Sequence, residues 1–198
     1  MIYDISQPLF NCQVYPGDPK PQCQTVCSIA AGDVCNLTAF SACAHNGTHV
    51  DAPRHFYDGG KGIGDIALEK FVGEAFVVSH SGDVTAPDAE ALLKKAKAAC
   101  DGSQKKILFK GNAVLTAEAA QVFAQAKIDL VGVESQTVGP EDAPMQVHLI
   151  LLDAEVVLLE GLRLGEVSDG FYTLNCAPIN LGNADGAPCR AILINNKT

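Results

Sequence analysis

Residues 74–79 read EAFVVS, residues 106–110 read KILFK and residues 130–133 read LVGV. Each segment is short and largely apolar, which is typical of strands that are buried on both faces. Residues 88–99, between the first two segments, are rich in Ala, Leu and Lys and predict a helix. This order of strand, helix and strand indicates an α/β class with a partly parallel sheet.

Signals for the start of a helix support this interpretation. Thr85 is followed three residues later by Asp88, which resembles a capping box at the start of the first helix. Thr116 could cap a second helix that runs through Ala126. Both helices would then connect neighbouring parallel strands.

The outer parts of the chain contain further strand patterns. A turn is predicted at residues 15–19, which read YPGDP, and a short helix around residues 147–153. We also predict strands at residues 24–30, 36–42, 156–159, 171–176 and 191–194. A β-rich beginning joined to an α/β middle predicts two β layers plus helices.

Chain length and net charge restrict the number of domains and the kinds of partner that we expect. The chain has 198 residues and a hydrophobic fraction of 47%, which suits one domain over residues 1–198. The formal net charge of -9 argues against nucleic acid as a partner, because nucleic acid requires clustered Lys and Arg. The apolar runs are far shorter than the roughly 20 residues that a membrane span needs. Residues 1–5 show no signal-peptide pattern. We therefore expect a cytoplasmic protein without a membrane partner.

Eight cysteines occur without any C-x-x-C pair, which disfavours a zinc-finger site. Several of them, such as Cys43 and Cys176, lie in apolar or alternating runs. We therefore expect the cysteines to be small buried residues with free thiols.

The highest density of residues that could bind a metal or catalyse a reaction lies just before the α/β segment. Three of the five histidines and one aspartate fall within eleven residues: His45, His49, Asp51 and His55. All four positions are odd-numbered, so in an extended backbone their side chains would share one face. Gly47 and Pro53 disfavour a continuous helix here, and Gly47 also permits the close backbone approach of a compact ion site.

Two imidazoles and a carboxylate suit Zn²⁺, or Mn²⁺ with more oxygen ligands. Asp51 has two carboxylate oxygens and could bridge two metals. A catalytic metal lowers the pKa of its water toward about 7. His55, which follows Pro53, is better placed as a proton shuttle, the usual role of a histidine that titrates near neutrality.

Two later residues extend this hypothesis. Glu160 follows the apolar run of residues 156–159, and a carboxylate at the end of a buried strand needs a partner or a metal. His148 begins another apolar run, where a lone histidine is more often a satisfied core residue. His80 follows a strand, and we interpret it as structural because nothing in the sequence pairs it with a site.

At these residues the sequence resembles the cyclase-like metal hydrolase family, which includes bacterial kynurenine formamidase and isatin hydrolase. The signature is HNGTHVDAPRHF at residues 45–56. The resemblance extends over nearly the whole chain, through YDISQPL at residues 3–9, YPGDP at 15–19, His148, EGL at 160–162 and DGAPCR at 185–190.

The resemblance implies a swivelling β/β/α fold, with mixed sheets and flanking helices, and a homodimer or higher homo-oligomer. It also implies one or two divalent metals in each chain, Zn²⁺ or alternatively Mn²⁺. By position, a first metal would be held by His45, His49 and Asp51. A second would be held by Asp51, His148 and Glu160. His55 would be the catalytic acid and base.

The hypothesis is therefore a metal-dependent hydrolase of an amide, formamide or lactam, with a small-molecule substrate. The most specific form is an arylformamidase that converts N-formylkynurenine to kynurenine and formate. One alternative is another enzyme on the same site, such as a cyclic-imide or isatin-type hydrolase, a lyase or a dehydratase. A second is a metal- or metabolite-binding protein without catalysis. A hydroxyl nucleophile at Thr48 or Ser135 is disfavoured, because no G-x-S-x-G pattern accompanies either residue.

Overall fold

The structure is a computed structural model that describes residues 1–99 and 105–195. Within these residues the chain forms thirteen strands and three α-helices. In order they are β1 (Ile2–Asp4), β2 (Gln22–Cys27), β3 (Leu37–Ser41), β4 (His49–Asp51), β5 (Val72–Ser79), β6 (Gly82–Val84), α1 (Ala86–Ala99), β7 (Lys106–Lys110), β8 (Ala113–Leu115), α2 (Ala117–Gln125), β9 (Leu130–Gly132), α3 (Met145–Asp153), β10 (Val157–Glu160), β11 (Gly170–Asn175), β12 (Gly186–Pro188) and β13 (Ile192–Ile194).

Nine of these strands form one mixed sheet in the order β1-β13-β11-β5-β7-β9-β10-β4-β12. Its centre is parallel, because β5, β7, β9 and β10 follow one another through crossovers that contain α1, α2 and α3. Antiparallel strands flank this centre on both sides. Two-stranded sheets are formed by β2 with β3 and by β6 with β8.

Alternate residues of the central strands enter two different cores. Ile107 and Phe109 of β7 pack with residues of α1, α2 and α3, whereas Leu108 between them packs in a second cluster. The second cluster contains Ile5 and Val50 from the first third of the chain. Because successive side chains of a strand point to opposite faces, both faces of the parallel centre are buried.

The sequence predictions for the α/β part are confirmed. The strand expected at residues 74–79 is β5, and α1 contains residues 88–99. At the start of α1 the Thr85 backbone N–H donates to the Asp88 carboxylate at 2.9 Å, as in a capping box. Thr116 caps α2, because its hydroxyl accepts from the backbone N–H of Ala119.

Two expectations for the first third need correction. The strand predicted to run to residue 30 ends at Cys27, because residues 29–31 turn into a short 3-10 helix that Gly32 closes with a φ of 99°. The cysteines are not generally buried. Cys176 is buried, Cys43 is half-buried, and Cys23 and Cys35 are exposed. The seven described cysteines are free, and Cys100 lies outside the described residues.

Helix length bears on membrane interaction. The longest helix, α1, has 14 residues. Across residues 1–99 and 105–195 there is no helix with the length and apolar character to cross a bilayer.

Gly161 offers a test of this architecture, because it lies directly behind β4. Its φ is +71°, and an added Cβ would overlap the Gly47 carbonyl oxygen and lie 2.7 Å from the Gln7 amide nitrogen. We expect Gly161→Ala to lower the free energy of unfolding by about 2 kcal/mol or more, since both backbone strain and overlap result. Gly165→Ala is the matched control, because a Cβ there meets nothing within 4 Å. Equal stability of the two variants in urea titrations would contradict the structure.

Candidate metal centre and active site

The site is built on β4, which lies between β10 and β12. In this register His49 pairs with Glu160 of β10, and Gly186 of β12 pairs with Asp51. His49 and Asp51 are two residues apart in the strand, so their side chains share one face. Gly186 leaves room beside them, since a Cβ there would lie 2.8 Å from Cε1 of His45.

His45 reaches the site from the turn that precedes β4. Its Nδ1 lies 2.9 Å from Oδ1 of Asp51, and its Nε2 lies 2.8 Å from Oδ2 of Asp185. Both ring nitrogens therefore face carboxylates. Gly47, with a φ of 66°, turns the chain between His45 and the strand.

His55 is positioned by the short 3-10 helix Pro53–His55, which begins with proline. Its ring stacks on that of His45 with the centroids 4.0 Å apart. Its Nδ1 lies 3.5 Å from Oδ2 of Asp185. His55 is thus held at the edge of the cluster, where 28% of its side chain is exposed.

The extended backbone expected at residues 45–55 is only partly present. Only His49–Asp51 is a strand, whereas His45 lies in a turn and His55 ends a 3-10 helix. The four side chains still converge, because Gly47 and Pro53 turn the chain on either side of β4.

His148 and Glu160 approach the same point from α3 and β10. His148 Nε2 lies 3.3 Å from Oε1 of Glu160 and 3.6 Å from Oδ2 of Asp51. His49 Nε2 lies 3.4 Å from both Oε2 of Glu160 and Oδ1 of Asp51. The structure therefore brings His148 and Glu160 to His49 and Asp51, although about 100 residues of sequence separate the two pairs.

Backbone carbonyls orient two of these imidazoles. His49 Nδ1 is 3.0 Å from the Gly47 carbonyl oxygen, and His148 Nδ1 is 2.9 Å from that of Pro144. In a neutral ring the Nδ1–H would donate to the carbonyl, which leaves the Nε2 lone pair facing the carboxylates. This is the arrangement of a histidine that is ready to bind a metal through Nε2.

The donor set fits a divalent metal. Among the described residues, two groups have ligand atoms that all lie within 4.8 Å of one another, namely His45 with Asp51 and His55, and His49 with Asp51 and Glu160. Asp51 belongs to both groups and is 1% exposed, yet its Oδ2 has no hydrogen-bond partner in the described chain. A buried carboxylate oxygen without a donor is costly, and a cation at this point would remove that cost.

The electrostatics of the cluster follow from burial and from the carboxylates of Asp51, Glu160 and Asp185. Burial disfavours a charged imidazole, but Asp51 and Asp185 outweigh it and raise the pKa of His45 to about 11. In the same way, Asp51 and Glu160 outweigh burial and raise the pKa of His49 to about 9. The pKa of His148 is raised too, because Glu160 and Asp51 outweigh its burial. For Asp51, burial favours the neutral acid, but the neighbouring His45 holds its pKa well below the usual value.

His55 behaves differently from the other three histidines. Burial lowers its pKa, and the nearby positive charges of His45 and His148 act in the same direction against the carboxylates. His55 is therefore neutral near pH 7. A neutral imidazole at the edge of the site can accept a proton.

Asp185 belongs to the site and was not singled out from the sequence. The hydrogen bond from His45 lowers the pKa of Asp185 to about 2, so the residue is ionised. Its backbone carbonyl also accepts from Ala52 at 2.9 Å, next to Asp51. The only sequence signal was its place in the DGAPCR block, which indicates no role by itself.

A buried polar network lies behind β4. The Thr48 hydroxyl accepts from the Gln7 backbone N–H at 2.8 Å and donates to the Gly161 carbonyl at 2.7 Å. Ser135 Oγ donates to the Thr137 carbonyl. Both hydroxyls are thus engaged with backbone groups, which argues against either one as a nucleophile. His80 lies apart and faces the Asp83 carbonyl through Nε2.

The chain has curated relatives over nearly its full length. The model of the family described as "Putative cyclase" matches residues 3–140. The kynurenine formamidase of Bacillus cytotoxicus is 32% identical over 203 residues, which cover 96% of this chain and 95% of that protein. The kynurenine formamidase of Paracidovorax citrulli is 30% identical over 209 residues, which cover 98% and 96%.

Solved structures of similar fold cover nearly the whole chain as well. A protein described as a "potential metal-dependent hydrolase with cyclase activity" has a TM-score of 0.81 and 25% identity, with 100% of this chain and 99% of that chain covered. Isatin hydrolase A from Labrenzia aggregata has a TM-score of 0.80 with 98% and 93% covered, and at 19% identity it shows the fold alone. The expected mixed α/β fold is confirmed, and the chain belongs to the Cyclase family.

Proposed function

We propose that the chain hydrolyses a formamide bond, and that its substrate is N-formylkynurenine, which it converts to kynurenine and formate. The observation that carries this proposal is the convergence of imidazoles and carboxylates on the buried Asp51, with His55 at the edge. The curated relatives are hydrolases of a C–N bond that is not a peptide bond, which supports this enzyme class. The two kynurenine formamidases among these relatives support a formamide as the bond that is hydrolysed.

We propose a metal cofactor of one or two ions, Zn²⁺ or alternatively Mn²⁺. In this proposal the first ion is held by His45, His49 and Asp51, and the second by Asp51, His148 and Glu160. Nitrogen and carboxylate donors with a shared carboxylate suit both metals. When bound, such a metal lowers the pKa of water and polarises a carbonyl.

His55 is proposed as the catalytic acid and base. Its pKa is lowered by burial, so the ring is neutral at pH 7 and can take a proton from the attacking water. The protonated ring then delivers that proton to the leaving nitrogen. Asp185, 3.5 Å from His55 Nδ1, would stabilise the charge that the ring carries between these two steps.

We also propose a homodimer or higher homo-oligomer, and the hairpin of β2 and β3 supports it. The hairpin exposes a series of apolar side chains: Val26, Val34, Leu37 and Phe40. Exposed apolar patches on one element mark interaction sites. The free thiols further suit a reducing cytoplasm, which is the location we propose, with residues 1–198 as one domain.

His55→Ala tests the catalytic role. We expect kcat for formate release from N-formylkynurenine to fall by about 100-fold or more, because the variant lacks the proposed proton carrier. Bound metal, measured by elemental analysis, should stay near the wild-type content. His80→Ala is the matched control, since this histidine lies apart from the site. Wild-type turnover in His55→Ala would contradict the assignment.

A substrate panel distinguishes the rival activities. Formate release is expected from aryl formamides, whereas ring opening of isatin or of cyclic imides would indicate a different hydrolase on the same site. Bound metal with no turnover of any amide, ester or lactam would favour a binding protein.

Metal uptake should be coupled to proton release. In the metal-free protein the pKa values of about 11 for His45 and about 9 for His49 mean that both rings are protonated at pH 7. Because the metal must displace these protons, its apparent affinity should rise with pH between 6 and 8, about tenfold per unit for each proton released. Zinc titration calorimetry in two buffers of different ionisation enthalpy measures the number of protons that are released when zinc binds. An affinity that is independent of pH would contradict the cluster described here.

The hairpin gives a test of assembly. Phe40 is 59% exposed on β3, and Leu68 is 66% exposed outside the hairpin. We expect Phe40→Glu to shift the protein toward the monomer in light scattering after size-exclusion chromatography, since a charge would be buried in the interface. Leu68→Glu should keep the wild-type mass. A monomeric wild-type protein, or an equal effect of both variants, would refute the role of the hairpin.

A further inference from the structure

A larger cavity adjoins the metal centre. The cluster itself lines a cavity of about 250 Å³, and the neighbouring cavity measures about 660 Å³. Tyr15, Gln136 and Thr137 line both. These three residues are therefore the boundary across which a molecule bound at the cluster would extend into the larger space.

Size indicates that the substrate needs both spaces. Pockets for small molecules usually measure about 300–1,000 Å³. The cavity at the cluster, at about 250 Å³, falls below that range even before the metal is accommodated. We therefore expect the formyl group to lie at the cluster and the aromatic amine to extend past Thr137 toward the larger cavity.

Two of the three boundary residues, Tyr15 and Gln136, and Glu134 of the larger cavity use their polar side chains within the protein. The Tyr15 hydroxyl donates to the Glu141 carbonyl at 2.8 Å. The two oxygens of Glu134 accept from the backbone N–H groups of Gly111, at 2.6 Å, and Leu164, at 2.8 Å. These groups are not free to recognise a ligand without the loss of an existing hydrogen bond.

Gln136 is engaged as well. With its amide oriented to match its neighbours, the nitrogen donates to the carbonyls of Gly47 and Gln13 at 3.2 Å each, and the oxygen accepts from Gln7 at 2.9 Å. Gln136 therefore fixes the wall between the two cavities.

Thr137 is the exception. Its side chain is buried with 7% exposed, and its Oγ1 has no hydrogen-bond partner among the described residues. The backbone around it is fixed, because its carbonyl accepts from Ser135 Oγ and the next N–H, of Val138, donates to Glu160 at 2.8 Å. A buried hydroxyl without a partner is costly, so its retention at this boundary points to a ligand atom as its partner.

We propose that the larger cavity binds the amine portion of the substrate, and that Thr137 Oγ1 donates a hydrogen bond to a carbonyl oxygen on that portion. This inference rests on the proposed formamide hydrolysis and makes it more specific. It predicts a substrate class, namely aryl formamides that carry a carbonyl group next to the formamide nitrogen. Thr137 is then a specificity-determining residue, because it distinguishes such amines from purely hydrocarbon ones.

Two substrates of nearly equal shape isolate this hydrogen bond. N-(2-acetylphenyl)formamide has the carbonyl, and N-(2-isopropylphenyl)formamide replaces it with a methyl-bearing carbon. We expect the wild-type protein to favour the acetyl compound in kcat/KM by about tenfold, the usual value of one hydrogen bond. In Thr137→Val the ratio should fall toward one, since valine keeps the shape and removes the hydroxyl. Thr137→Ser should keep the wild-type ratio.

Binding of the corresponding anilines separates this inference from the proposed function. Titrations of the metal-loaded protein with 2-aminoacetophenone and 2-isopropylaniline measure the pocket without turnover. Preference for the ketone in the wild type and Thr137→Ser, but not in Thr137→Val, supports the inference. Equal affinity of both anilines for the wild type overturns it. If the ketone is preferred but neither formamide is hydrolysed, carbonyl recognition by Thr137 is supported and the proposed formamide hydrolysis is contradicted.

The cavity is tested by Val114→Phe. Val114 of β8 lines the larger cavity and not the one at the cluster. We expect the added ring to raise KM for N-formylkynurenine several-fold more than for N-phenylformamide, because the amino-acid side chain of the longer substrate extends further into that space. An equal change for both substrates would overturn the assignment of the larger cavity. Metal content measured in each variant controls for displacement of Glu160 or its neighbours.

Discussion

The burial of two carboxylates side by side governs this structure. Asp51 and Glu160 are 1% and 2% exposed, on neighbouring antiparallel strands. Ionised carboxylates cannot be kept away from water unless positive charge or hydrogen-bond donors surround them. His45, His49 and His148 supply that charge when they are protonated, and a divalent metal would supply it more compactly. Asp51 Oδ2, which has no hydrogen-bond partner among the described residues, marks the point where these side chains leave the charge incompletely compensated.

The sheet explains how such a cluster can form at all. The parallel centre fixes β10, β10 fixes β4 through three antiparallel pairs, and β12 closes the other side of β4. Histidines on elements far apart in sequence then meet at a strand only three residues long. The glycines at positions 47, 161 and 186 let backbones and rings approach where any side chain would overlap. Stability and site geometry therefore depend on the same few close contacts.

Local sequence patterns predict the central strands and most of the candidate site. Features that depend on contacts between distant parts of the chain could not be predicted. The apolar runs at residues 74–79 and 106–110 identified the parallel strands, because a strand that is buried on both faces consists mainly of apolar residues. The spacing of His45 to His55 identified the cluster, although its explanation as one extended segment was only partly right. His148 could not be distinguished from a core histidine, and Asp185 had no local signal, since both acquire their places through tertiary contacts. Nor could sequence periodicity show that the hydroxyl of Thr137 has no hydrogen-bond partner among the residues that the structure describes.

We propose that Asp51 is the shared ligand of a divalent metal centre. Anomalous diffraction from crystals loaded with zinc tests it most directly. If Asp51 is this ligand, a zinc peak should lie at a coordination distance of roughly 2.0–2.2 Å from an Asp51 oxygen and from His49 Nε2. A zinc position away from Asp51, or no zinc near the cluster at saturating concentration, would contradict it.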